Sequence, residues 1–390
     1  MKILWTGVAA WAKSGYGVST ANIVPRLQKL GHEVVVFTYY GLHGGRVVWN
    51  GIEHWPIRET QFGSDVIADY IDEFQPDVVI TLYDQWVIPS YQQLGSIWLP
   101  HVVLHYEPML GKLRNAVKKT WRQWALCEWA AKLMRDEGLD PRVVPLGVDT
   151  KIYRPLLGLM DSKGNIFEQK NLKELVGCPP DHFLVGMVAA NRDFRKALEP
   201  QFRVFADFHR KYKDTHLFIK TNASKRQGGW SLPLLWTKVF GLKKGDTGPV
   251  TYPGRDETNV DSYTMCMWMN AFDVFMNCSV SEGFGLPVLE AQACGVPVIV
   301  TDFSAMSEVG GVGWQLPYKK FLTPLYSFGA AVDEQALWNA LEEAYKMRGT
   351  SEYAAMKKAA REHALNYDWD RVVYDIMDKE LTSWLEDKEL

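Results

Sequence analysis

An α/β protein made of two doubly wound, parallel-sheet halves is the fold class this sequence predicts. Three observations predict it. Strand-length apolar runs alternate with helix-length amphipathic stretches in both halves of the chain, the pattern of successive βα units. The chain has 390 residues, room for two sizeable cores at about 150 residues per domain. Hydrophobic residues make up 47% and charged residues 23%, which excludes a disordered, collagen-like or disulfide-dense chain.

The elements follow in order. Lys2–Thr6 reads as a buried strand running into the small-residue loop Ser14-Gly15-Tyr16-Gly17. A helix over about Ser19–Leu30 stops at Gly31, a residue suited to the left-handed conformation that ends helices. The strand His32–Phe37 completes a βαβ opening, which calls for a parallel sheet. Ser64–Phe74 reads as helix, Asp77–Thr81 and Pro100–Leu104 as strands. Trp124–Cys127 and Val143–Pro145 are shorter strands around the helix Ala130–Glu137. This fills one domain over residues 1–150. Residues 151–182 have weaker periodicity, with Pro155, Gly158 and Gly164, and read as an interdomain connection. A second series spans 183–365. It has strands at Phe183–Val188, His216–Ile219, Val274–Met276 and Val298–Thr301, and helices at Pro200–Lys211, Pro287–Cys294 and Glu334–Arg348. Gly228–Gly248 reads as a loop or helical excursion.

Composition narrows the function classes. With 43 basic and 46 acidic residues the net charge is −3, so no global basic excess points to nucleic acid. The five cysteines are scattered and include no C-x-x-C pair, which argues against a disulfide framework or a zinc site and fits a reducing, cytoplasmic location. Met1–Val8 is too short for a signal peptide, and no apolar run reaches the roughly 18 residues of a membrane span. Sixteen tryptophans are many. Most read as core, with sugar or base stacking as the functional use of an exposed one.

The stretch that carries most chemistry is Ser281-Glu282-Gly283-Phe284-Gly285-Leu286-Pro287-Val288-Leu289-Glu290. It follows a strand, on the side where open α/β sheets bind ligands. The glycines let the backbone approach a ligand closely, and Pro287 suits the start of a helix. The amides of Phe284, Gly285 and Leu286 at that helix start form an anion site with about half a positive charge. Glu290, about one turn in, can accept hydrogen bonds from vicinal hydroxyls such as those of a ribose. Glu282 can do the same for a second polyol.

Here the sequence resembles the retaining nucleotide-sugar glycosyltransferases of glycosyltransferase family 4, which have the GT-B fold. Glu282…Glu290 matches their E-x7-E signature. Ala293-Cys294-Gly295-Val296-Pro297-Val298-Ile299, Pro145-Leu146-Gly147-Val148-Asp149 and Gly31-His32-Glu33-Val34 resemble further family segments. The resemblance implies two Rossmann-like domains facing a central cleft. It also implies a last segment, 366–390, that crosses back to the first domain. It implies Glu290 on the donor ribose, and Glu282 with the 284–286 amides on the donor sugar and phosphates. The family's diphosphate-binding Arg and Lys correspond to Arg192 and Lys196. This loop is shorter than the family's and has Asn191 where Gly is usual, so Arg195 is a third candidate. Such cations stabilise the negative charge that a leaving nucleoside diphosphate gains.

The resemblance also brings Gly15 and Gly17 to the donor phosphate and acceptor, and His105 to the donor sugar near the reacting carbon. Taken alone, Gly15-x-Gly17 is only a partial dinucleotide fingerprint, because its third Gly and its closing acid are missing. Asp84 is a candidate for acceptor binding. Asp368-Trp369-Asp370 has the form of a metal–diphosphate motif, but its place at a helix start fits a cap. The basic run Lys112, Arg114, Lys118, Lys119, Arg122 suits a solvated helix, or contact with a membrane or polyanion. The expected function is retaining, metal-independent, cofactor-free transfer of a hexose-type sugar from a UDP- or GDP-linked donor to a hydroxyl. Other readings are a transferase modifying DNA or a polysaccharide, a non-catalytic nucleotide-sugar binder, and a sugar-nucleotide epimerase of the same fold.

Overall fold

The computed structural model describes residues 1–84, 86–191, 194–221, 229–242, 249–253 and 260–389. The chain divides into two compact units, one of Met1–Gly147, Pro324–Ser327 and Tyr367–Leu390, the other of Val148–Thr323 and Phe328–Asn366. The stretch 151–182, expected as a connection, thus lies within the second unit.

The first unit is built on an eight-stranded sheet. Its strands are β1 (Lys2–Val8), β2 (Glu33–Tyr40), β3 (Val47–Trp49), β4 (Ile52–Pro56), β5 (Val78–Asp84), β6 (Trp98–Val103), β7 (Gln123–Ala125) and β8 (Pro141–Val143), in the order β3-β4-β2-β1-β5-β6-β7-β8. Only the β3–β4 pair is antiparallel among those described. Ile3, Leu4 and Trp5 are completely buried, as expected of a parallel strand covered on both faces. Helices α1 (Gly15–Lys29), α2 (Ile67–Phe74), α3 (Gly111–Val117) and α4 (Glu128–Asp136) connect the strands. Strand order reverses at β1 and β5, the switch point at which such sheets receive ligands.

The expected loop at Gly15-Tyr16-Gly17 is instead the first turn of α1. The Ser14 hydroxyl caps it by accepting from the Gly17 amide at 3.1 Å. Gly17 has no substitute there, because a Cβ would meet the Ala12 carbonyl oxygen at 2.1 Å. Gly31 ends the segment with φ +90°. The edge strand β3 and its neighbour β4 were not anticipated. Asp368 and Asp370 do the work of a cap and a tether: Asp368 Oδ1 accepts from the Asp370 amide, and Asp370 takes the Arg26 guanidinium at 2.8 Å. Between them, Trp369 is buried against Gly147, where a Cβ would lie 2.7 Å from the indole. Gly147→Ala is therefore expected to lower stability by about 1–3 kcal/mol, measured as a fall in the urea midpoint at unchanged slope.

The basic run 112–122 is not a single free face. α3 stops at Val117, and Arg122 is buried, with its guanidinium on Asp387 and on Ser383 Oγ. Lys112, Lys118, Lys119 and Trp121 remain exposed. Trp5, Trp55, Trp98, Trp124, Trp236, Trp268, Trp369 and Trp384 are core residues, half of the sixteen. No described helix is long and apolar enough to cross a membrane.

The second unit opens with α5 (Gln169–Leu175) and β9 (Phe183–Val188), followed by α6 (Leu198–Lys211) and β10 (Thr215–Lys220). The expected excursion contains one helical turn, α7 (Leu232–Leu234), continuing as a wider-wound turn through Val239. Then come β11 (Val250–Thr251), α8 (Ser262–Ala271), β12 (Val274–Asn277), α9 (Leu286–Ala293), β13 (Val298–Thr301), α10 (Met306–Val309) and β14 (Gly313–Leu316). The parallel sheet order is β11-β10-β9-β12-β13-β14, and the reversal lies at β9 and β12. A hairpin of β15 (Tyr318–Leu322) and β16 (Phe328–Val332) precedes α11 (Glu334–Met347) and α12 (Ser351–Leu365). The core joins Phe183, Val185, Phe202, Phe205, Trp236 and Leu341.

Candidate functional site

In the second unit the switch point carries a buried charge cluster. The loop after β9 delivers Arg195 and Lys196, and the loop after β12 delivers Glu282. Lys196 Nζ donates to Glu282 Oε1 at 2.5 Å, and Arg195 Nη1 to Oε2 at 2.7 Å. The Ser279 hydroxyl donates to Oε1 at 2.7 Å, and the Glu282 amide donates to Ser304 Oγ at 2.9 Å. The two loops are also joined through backbone, Val280 N–H to the Arg195 carbonyl. Burial works against the Glu282 charge. Lys196, Arg195 and Ser279 outweigh it and hold this carboxyl well below the usual carboxylate range.

Two residues beyond Phe284, α9 begins. Gly285 sits in the left-handed region at φ +97°, and a Cβ there would meet the Met306 methyl at 2.3 Å. Leu286 is the first helical residue and Pro287 the second. First-turn amides have no partner within a helix, so α9 presents its positive dipole end beside the charge cluster. Glu290 is on the same helix. Tyr153 hydrogen-bonds its carboxyl, and Lys220, the last residue of β10, contributes a favourable charge. Burial prevails over both and raises the Glu290 pKa to about 7.

That shift has a thermodynamic consequence. The ordinary value is 4.5. Between there and about 7 the folded protein holds a proton that the unfolded chain has released. The stabilisation is complete below the lower value and is lost as pH rises through the upper one. Urea midpoints measured across this range should therefore fall with rising pH, and Glu290→Gln should flatten the trend.

The first unit brings a second set together at its own switch point. Tyr16, in the first turn of α1, donates to Asp84 Oδ1 at 2.6 Å. His105 Nε2 lies 2.8 Å from the same oxygen. His105 is buried, and its Nδ1 has no hydrogen-bond partner among the described residues. Trp86 stacks on His105, with ring centroids 5.9 Å apart and planes at 21°.

Of the residues singled out in the sequence, Lys196, Arg195, Glu282, Phe284, Gly285, Leu286 and Glu290 gather at one switch point. Asp84, His105, Gly15 and Gly17 gather at the other. Arg192 lies outside the described residues. Arg195, the expected alternative to Arg192 or Lys196, holds Glu282. Tyr16, Trp86, Tyr153, Lys220 and Ser304 were missed. Tyr16 had a signal, lying between the two glycines; the others depend on contacts far apart in the chain. Among the described residues no group of three or more His, Cys, Asp or Glu is arranged to hold a metal.

Comparison with known proteins gives the setting. Residues 230–335 match the family model described as Glycosyl transferases group 1. D-inositol 3-phosphate glycosyltransferase of Paenarthrobacter aurescens is 26% identical over 238 residues, 59% of this chain and 48% of its own length. This chain therefore spans about half of that curated relative. Sucrose-phosphate synthase of Thermosynechococcus elongatus superposes with a TM-score of 0.74 at 16% identity, covering 98% of this chain and 99% of that one. An Escherichia coli trehalose-6-phosphate structure bound with UDP-2-fluoro glucose superposes at 0.69 and 13% identity, covering 97% and 98%. The fold is thus the GT-B fold of these glycosyltransferase structures, and the segment bearing Glu282 and Glu290 is similar to a group 1 glycosyl transferase domain.

Proposed function

We propose that this protein is a retaining, metal-independent glycosyltransferase of family 4, moving a hexose-type sugar from a UDP- or GDP-linked donor to a hydroxyl acceptor. One observation carries the proposal: two cations and a buried glutamate at the C-terminal edge of β9 and β12, beside the N-terminus of the helix that bears Glu290. Such a site suits a nucleotide sugar. The α9 amides and Lys196 with Arg195 take the diphosphate, Glu290 the ribose, and Glu282 the sugar hydroxyls. As the glycosidic bond breaks, the leaving diphosphate gains charge that the preorganised cations and helix dipole stabilise. The departing phosphate then helps take the acceptor proton on the same face, so no side chain serves as a dedicated base. Asp84 and His105 orient the acceptor and the donor sugar, with Gly15 and Gly17 close by. The buried free thiols support a reducing, cytoplasmic location. Lys112, Lys118, Lys119 and Trp121 would supply any contact with an anionic membrane.

The test is incubation with UDP- and GDP-hexoses and a panel of hydroxyl acceptors, with release of nucleoside diphosphate and formation of glycoside both followed. The reading expects acceptor-dependent release, unchanged anomeric configuration by NMR, and turnover that survives EDTA. Product formed from donor alone would indicate an epimerase. Donor binding without any turnover would indicate a binding protein.

A further inference from the structure

We infer that Cys266 and Cys294 are an oxidisable pair: a small hydroperoxide entering the cavity beside them converts the two thiols into a reversible disulfide between α8 and the end of α9. The bond is independent of the glycosyltransferase reading; its effect on donor binding rests on that reading.

Cys266 lies in the middle of α8, and Cys294 caps the C-terminus of α9. Their Sγ atoms are 3.8 Å apart, with Cys294 placed to donate its S–H to Cys266. The Asn270 side-chain amide, one turn further along α8, donates to the same Cys266 sulfur at 3.4 Å. Two donors aimed at one sulfur favour its thiolate. Cys266 accordingly titrates below an ordinary thiol, the Cys294 hydrogen bond contributing most. Burial, above all, holds the Cys294 thiol protonated. The pair thus has one sulfur biased toward the nucleophilic form and a second beside it to resolve the oxidised product. Cys178 and Cys278 instead direct their Sγ at the main-chain carbonyls of Pro179 and Ile299, and burial raises both thiols. Both members of the pair are buried, but Cys294 and Asn270 belong to the wall of a cavity of about 350 Å³, together with Pro155, Leu157, Val296 and Arg361. A water takes about 30 Å³, so hydrogen peroxide fits.

The chemistry balances with a hydroperoxide as the oxidant. The Cys266 thiolate attacks one peroxide oxygen; an S–O bond forms, the O–O bond breaks, and the other oxygen takes a proton and leaves as water or an alcohol. The Cys294 sulfur gives up its proton and attacks the Cys266 sulfenic sulfur; the S–S bond forms and the hydroxyl leaves as water. Two thiols are oxidised to one disulfide, and one peroxide is reduced. Bonded sulfurs lie about 2.05 Å apart, so the pair must close by roughly 1.8 Å. The end of α9 is tied to the donor site. The Cys294 amide donates to the Glu290 carbonyl at 3.2 Å. Arg361 donates to the carbonyls of Ala293 and Tyr153, and Tyr153 is the residue bonded to the Glu290 carboxyl. Closure at Cys294 is therefore felt at Glu290, one turn away, and weakens the hold on a donor ribose.

The test treats the native full chain with hydrogen peroxide, blocks the remaining thiols with N-ethylmaleimide in denaturant, and maps the product by mass spectrometry. Chymotrypsin is the protease to use. No Lys or Arg lies between the two cysteines, whereas Trp268, Phe275 and Phe284 separate Cys266, Cys278 and Cys294 from one another. The expected product is a Cys266–Cys294 cross-link that dithiothreitol removes, with Cys278 still labelled. Cys294→Ser, whose hydroxyl can keep the hydrogen bond, should stop the reaction at a Cys266 sulfenic acid that dimedone captures. Five labelled thiols after peroxide, a bond between other cysteines, or no dimedone adduct in a Cys294→Ser protein with the wild-type melting temperature would overturn the inference. Affinity for UDP- and GDP-hexoses should fall about tenfold on oxidation and return with dithiothreitol. A bond formed with affinity unchanged would overturn the link to Glu290. Failure of the glycosyltransferase reading looks different: no nucleotide sugar binds even the reduced protein, while the cross-link still forms.

Discussion

Lys196→Ala is expected to lower the transfer rate by two to three orders of magnitude, about what the loss of one preorganised electrostatic donor costs. The reason lies in where Lys196 stands. It is on the loop that leaves β9 and is largely buried, 12% exposed, with its ammonium 2.5 Å from Glu282. Its charge is therefore already desolvated and already positioned, and no reorganisation is needed when diphosphate charge develops. A lysine on a solvated turn would give a much smaller effect. Steady-state kinetics at saturating acceptor check the point. The loss should fall on kcat as well as on kcat/KM, because charge on the leaving group is greatest in the transition state. A change confined to KM would assign Lys196 to ground-state binding alone.

Glu282→Gln is expected to cost stability as well as activity. Glutamine keeps the shape but removes the charge, leaving Lys196 and Arg195 partly buried without their counterion. Breaking a buried ion pair from one side costs about 3 kcal/mol. The loss depends on pH in the manner of a depressed carboxyl. Wild type carries this stabilisation above the ordinary carboxylate pKa of 4.5 and loses it only as pH falls toward the lower folded value. Chemical denaturation at neutral pH should show the full difference between wild type and variant, and strongly acidic conditions should narrow it. Added nucleoside diphosphate should recover part of the loss at neutral pH, since its phosphates supply the missing anion.

Much of this was legible in the sequence, for a physical reason. Parallel strands buried on both faces appear as continuous apolar runs, so β1, β2, β5, β9, β12 and β13 announce themselves. The turn between β12 and α9 is equally legible. Its glycines, its proline and its two acids are local requirements, and Gly285 does adopt the left-handed backbone that such a turn needs. Elements held by distant contacts were harder. β3, Val47-Val48-Trp49, is an edge strand of three apolar residues, two of them exposed, too short to show a strand period. The helix α1 begins at Gly15, not near Ser19, because the Ser14 cap and the fit of Gly17 against Ala12 override the poor helix propensity of glycine. The Tyr153 bond to Glu290 and the Tyr16 bond to Asp84 join residues far apart in sequence, and nothing local to either partner indicates the other.

The most direct measurement is a crystal structure with a UDP- or GDP-hexose soaked in. The diphosphate is predicted within hydrogen-bond distance of Lys196 and the amides of 284–286, with the ribose hydroxyls on the Glu290 carboxylate. A donor bound away from the start of α9, with Glu290 untouched, would contradict the account.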